Sequence, residues 1–103
     1  MKKVISISEM VAPIQVENDL CKVWASAEAD YHEGKLEVKL ESFLRRSSDN
    51  KRVSASWLPE TETVVEHIDF EEGSPAAKEI FESWVRRVRR AVTKRSGMGA
   101  SPA

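Results

Sequence analysis

Arg86, Arg87, Arg89 and Arg90, with Lys94 one turn further on, gather five cations into a short stretch near the end of the chain. Clustered guanidinium groups neutralise phosphates or dock on carboxylates, so the cluster points to a nucleic acid or to an acidic protein surface. An account without any partner also exists. Cations in the second half of a helix complement its macrodipole, and Glu82 stands four residues before Arg86, an i,i+4 pair worth roughly 0.3–0.5 kcal/mol. Residues 76–95 hold seven Lys/Arg against Glu79 and Glu82, a net +5, and the remainder holds nine against fifteen, a net −6. The chain is thus polarised although its formal net charge is −1. That acidic remainder repels a polyanion approaching from most directions, which ranks a protein partner above nucleic acid.

Trp24 is the second candidate. It falls on the polar parity of its strand, with Lys22, Ser26 and Glu28, and so faces away from the core. There it either anchors an interface, with Val65 nearby, or lies beneath the apolar leader of the chain. His67, Asp69 and Glu71 share one face of another expected strand, but alternate residues stand about 7 Å apart, too far for neighbours to bind one ion unaided. No metal and no cofactor are expected. Cys21 lies on an apolar parity, where a free cysteine behaves as a small core residue. Ser54 and Ser56 lack the Gly-x-Ser-x-Gly elbow of a nucleophile. The chain reads as a non-enzyme.

These residues need elements to hold them. Cys21, Val23, Ala25, Ala27, Ala29 and Tyr31 alternate with mostly polar residues, predicting a half-buried strand over 21–31. Leu36, Val38 and Leu40 predict a second over 36–43. Matching their apolar rows pairs Tyr31 with Leu36, Ala29 with Val38 and Ala27 with Leu40, with Gly34 in the connecting turn. Further strands are expected over 52–58, ended by Pro59, and over 63–71. From Ser74 the period changes: Ala77, Ile80, Phe81, Trp84, Val85, Val88, Ala91 and Val92 mark one stripe of a helix to about Arg95, with Ser74 as cap, Pro75 at its first position and Gly97 as its stop. Phe81 and Trp84 are expected over the row Ala25, Ala27 and Ala29, where small residues leave room for rings.

The fold class is therefore α+β: an antiparallel four-stranded meander with one long C-terminal helix packed across one face. Ile5 and Ile7 leave a fifth, N-terminal strand open, while Met10–Ile14 reads as an irregular apolar crossing over an edge or the open face. The 103 residues suit one domain over 1–95 with a flexible tail over 96–103. Lys2 and Lys3 precede apolar residues as in a signal peptide, but Ser6, Ser8 and Glu9 interrupt the run, and nothing is apolar over the ~20 residues that span a bilayer. With a single cysteine the expected location is the cytoplasm, away from membrane. The functional expectation is a small interaction or assembly module that binds a protein partner or itself, as a homodimer, with the sheet face that carries Trp24 as one contact and the basic helix as another. A regulatory nucleic-acid-binding protein using the basic helix is the alternative, and a ligand pocket between helix and sheet comes third.

Overall fold

Strict alternation dominates the centre of the molecule. The structure, a computed structural model, describes residues 3–53, 55–67 and 75–99. Its strands are β1 (Lys3–Val16), β2 (Asp19–His32), β3 (Lys35–Arg46), β4 (Arg52–Val53) and β5 (Glu62–His67), followed by helix α1 (Pro75–Gly99). In β2 every odd residue from Cys21 to Tyr31 is buried and the even ones are half-buried or exposed, so period two sorts its side chains onto two faces. β2 and β3 pair antiparallel with Tyr31 opposite Leu36, Ala29 opposite Val38, Ala27 opposite Leu40 and Glu28 opposite Lys39, the register the apolar rows demand. Pairing runs one step further, to His32 and Lys35, so the turn is tighter than four residues. Glu33 (φ 48°) and Gly34 (φ 71°) both take positive φ, as a two-residue type I′ turn requires.

The leader makes a fifth strand. β1 pairs along its length with β2, and Met10–Ile14 continues that strand instead of crossing an edge or the open face. A bulge between Met10 and Ala12 explains the irregular pattern: one extra residue, Val11, shifts the parity. Ile5 and Ile7 face the same side as Ala29 and Ala27, and after the bulge Ala12 and Ile14 resume that side opposite Val23 and Cys21. Pro13 is tolerated because β1 is an edge.

On the other side, β4 and β5 share the free edge of β3. β4 pairs with Leu44 and Arg45, whereas β5 pairs with Lys35 to Leu40 and does not touch β4. The strand expected over 52–58 therefore stops at Val53, and the chain turns so that Leu58 N–H reaches Ala55 O (3.2 Å) and Leu58 enters the core. Between the two short strands lies a gap at Glu41–Phe43. There the Trp84 indole N–H donates to Glu41 O (2.9 Å) and the Ser42 hydroxyl to Pro59 O (3.2 Å). The indole bond stands in for a ladder bond that a continuous edge strand would supply to Glu41 O, and the Ser42 bond ties the turn before Pro59 to β3. The expected strand over 63–71 is described only to His67; Ile68, Asp69, Phe70, Glu71 and the cap Ser74 lie outside the described residues.

Helix α1 lies across β1, β2 and β3. Its buried stripe includes Ala77, Phe81, Trp84, Val85, Val88 and Val92, and Phe81 and Trp84 share one apolar cluster with Ala25, Ala27 and Ala29. The helix continues past Gly97 to Gly99, because a glycine weakens a helix without ending it. This extension moves the arginines away from the terminus. The first turn holds no acid and the last turn no base, so the macrodipole does not account for the cluster. Glu82 pairs backwards with Lys78 (4.0 Å) and not forwards with Arg86.

Candidate functional site

The basic cluster divides into two sets. Arg87 Nη1 donates to Glu62 Oε2 (2.6 Å) on β5 and its guanidinium lies 5.0 Å from the Trp84 ring centre. Arg89 Nη2 lies 3.9 Å from Glu9 Oε2 on β1. These residues stand on opposite flanks of α1, so the two pairs tie the helix to the two edges of the sheet. They are exposed and individually weak, and the buried stripe of α1 carries most of its attachment to the sheet. Arg86, Arg90 and Lys94 recur every four residues along the outer ridge, exposed and without an ion-pair partner among the described residues. Their charge is what the helix offers to solvent.

Trp24 does face away from the helix, as its parity requires, but the leader does not fold over it. Met10 of β1 sits beside it on one side and Phe43 of β3 on the other, so the leader joins the sheet next to Trp24. Val65 is not nearby: it stands opposite Glu37, six residues from Phe43 on β3, or about 20 Å along the strand. Trp24 is half-buried, and its indole N–H is enclosed with no acceptor among the described residues. The Arg52 guanidinium stacks 4.0 Å from the Phe43 ring centre while bonding Glu41 (3.2 Å), and Arg45 approaches the same ring at 5.1 Å.

The rest of this face follows from the registers. Among the described residues, the large apolar side chains that remain exposed, Val4 (48%), Met10 (42%), Leu20 (55%) and Val65 (52%), all point to the side of the sheet away from α1. Toward the β2–β3 turn the face carries Glu28, Asp30 and Glu37, with Lys39 beside Glu28 and the pair His32 and Lys35 at the very end, His32 Nδ1 3.3 Å from Asp30 Oδ1. Toward the other end it carries Lys22, Arg45 and Arg52. A shallow polar depression lined by Ser6, Ser8, Ser26, Glu28, Lys39 and Glu41 lies between. Phe43 is a site residue that the sequence reading misses, although it shares with Trp24 the signal of an aromatic residue on a polar parity.

Other chemistry is sparse. Cys21 is 1% exposed and packed in the core. No group of three His, Cys, Asp or Glu among the described residues is placed to hold a metal ion. His67 is the final residue of β5, and Asp69 and Glu71 lie outside the described residues. A cleft of about 610 Å³ beside α1 is floored by Trp57, Leu58 and Pro59 and rimmed by Arg87, Lys94 and Arg95, with the Arg95 guanidinium 5.8 Å from the Trp57 ring centre. In the β3–β4 connection Asp49 accepts two bonds from Arg46 (3.1 and 3.0 Å) and one from Lys51 N–H (3.2 Å). The Arg46 bond holds the Asp49 carboxyl below its usual range, and Asp49 in turn raises Arg46. This is a loop clasp between two solvated groups. No described helix is long and apolar enough to cross a membrane. Comparison with protein-family models, curated proteins and solved structures returned no match.

Proposed function

We propose that this protein is a small non-enzymatic interaction or assembly module that self-associates through the sheet face opposite the helix. The observation that carries this reading is that Val4, Met10, Leu20 and Val65, the large apolar side chains exposed among the described residues, all lie on the sheet face that also holds the half-buried Trp24 and Phe43. Scattered exposed apolar residues are ordinary, but their segregation onto one side with aromatic residues at its middle is the composition of an interface. The edges are poorer contacts. β1 carries a bulge and Pro13, and β3's far edge is divided between two short strands, features that discourage edge-to-edge pairing. The reduced, buried Cys21 accords with a cytoplasmic setting.

Light scattering at micromolar concentration tests the reading. The wild type is expected at twice the chain mass, and Met10→Lys or Leu20→Lys at the mass of one chain with an unchanged circular dichroism spectrum. A wild type that stays monomeric at high micromolar concentration overturns it.

The ridge Arg86, Arg90 and Lys94 supports a second reading, nucleic-acid binding by α1. With Arg87 and Arg89 committed to Glu62 and Glu9, three cations remain for phosphates. Log affinity for duplex DNA would then fall against log salt with a slope near roughly −2.7, and the Arg86→Ala, Arg90→Ala double variant would flatten it. Absence of saturable binding at physiological salt removes this reading.

A further inference from the structure

The charges on the open face are ordered along the strands, and that order says how a second copy would lie on it. In register, the face reads as successive rows across β1, β2 and β3: Val4, Asp30 and Glu37; then Ser6, Glu28 and Lys39; then Ser8, Ser26 and Glu41. The aromatic row Met10, Trp24 and Phe43 follows, and then Pro13, Lys22 and Arg45. Behind the terminal pair His32 and Lys35, acids thus predominate toward one end and bases at the other, with serines between.

Two sheets meeting face to face are related by a two-fold axis lying in the interface, either along the strands or across them. An axis along β2 leaves each row opposite itself. Lys22 then meets Lys22 and Asp30 meets Asp30, and like charges in contact disfavour the arrangement. An axis across the strands reverses the rows. Centred on Ser26, it sets Asp30 against Lys22 and Glu37 against Arg45, twice each by symmetry, while Val4 meets Pro13 and Lys39 meets the Phe43 ring. Glu41 falls on the axis, where Arg52 already neutralises it at 3.2 Å. Facing sheets stand about 10 Å apart, a gap that Glu and Arg side chains bridge together.

Size agrees with this occupant. From Val4 to Gln15 the face is about 36 Å long, and four strands at roughly 4.8 Å make it about 19 Å wide, giving roughly 700 Å² per copy. A standard stable interface uses about 800 Å² per partner. Resting on the self-association proposed above, we infer that the partner on this face is a second copy of the chain, packed antiparallel about a two-fold axis across the strands, with Glu37 of each copy against Arg45 of the other.

A charge-reversal mixing experiment tests the arrangement. Glu37→Arg carries two bases at the paired positions and Arg45→Glu two acids, so each variant alone repels itself and should dimerise at least roughly tenfold more weakly than the wild type. Mixed together, the two variants present opposite charges at both symmetric contacts and should form a one-to-one heterodimer of near wild-type affinity. Sedimentation of each variant and of the mixture reads all three cases, with circular dichroism confirming the folds. Wild-type dimers with variants that dimerise undiminished, or that do not recover on mixing, overturn the antiparallel arrangement and leave self-association standing. A monomeric wild type overturns self-association itself.

Discussion

Two tryptophans face opposite sides of one sheet, and replacing each by phenylalanine separates the load they carry. Trp84 is 1% exposed, and its N–H supplies the bond to Glu41 O in the gap between β4 and β5. Trp84→Phe removes this bond and leaves a carbonyl unpaired where no strand can reach it, a penalty of roughly 1–3 kcal/mol. The smaller ring also leaves a void in the core, costing about 1 kcal/mol. A total of about 2–4 kcal/mol follows, or a Tm lower by roughly 10–20 °C for a domain this size. Trp24 has an enclosed N–H without an acceptor among the described residues, so Trp24→Phe forfeits no bond and relieves a desolvated donor. Its cost should stay within about 1 kcal/mol. Urea melts at low protein concentration, where association adds nothing to stability, measure both. Equal losses at the two sites would refute the role given to the Glu41 bond, and a larger loss at Trp24 would invert the assignment of faces.

Three further outcomes are expected. Ala27→Leu forces a larger side chain under the helix rings and should lower stability by about 1–3 kcal/mol, read as a fall in urea midpoint at constant m. Glu33→Asn should raise stability by about 0.5–1 kcal/mol because asparagine accepts the positive φ of a type I′ turn more readily, while Gly34→Ala should lower it by about 1 kcal/mol. The depressed Asp49 carboxyl contributes stability above its unfolded pKa and loses it as pH falls through the folded one. Asp49→Asn should accordingly melt below the wild type at neutral pH and converge with it in acid, as thermal melts across the pH range will show.

Much of the fold is legible in the residues because β2 and β3 bury one face each. With alanines and branched residues on one parity, a shift of one residue would drive charges into the core, and that penalty alone specifies the register. The helix is legible for the same reason at a different period. What escapes is phase. The bulge at Met10–Ala12 switches the apolar parity of β1 midway, so a single strand reads as a short strand followed by an irregular crossing. The split edge escapes too, because the alternation of Val53, Ala55 and Trp57 does not reveal that a turn at 56–57 and an indole bond replace strand pairing. In the site, parity places Trp24 correctly. Its neighbours depend on pairing with β1 and β3, which brings Met10 and Phe43 beside it and leaves Val65 far away.

The arginines show why composition alone ranks partners poorly. A net +5 over residues 76–95 describes a basic helix, yet position decides what each charge does. Arg87 and Arg89 lie on the flanks, where the sheet edges present Glu62 and Glu9, and their charge is spent within the chain. The i, i+4, i+8 ridge Arg86, Arg90 and Lys94 has no ion-pair partner among the described residues. The open face is governed by the same geometry. Lys22, Arg45 and Arg52 lie at one end and Glu28, Asp30 and Glu37 toward the other, where Lys35 and Lys39 offset part of the charge, and this separation along the strands gives the face a direction. A partner that repeats this order in reverse satisfies both ends at once, and a second copy of the chain does so by symmetry alone.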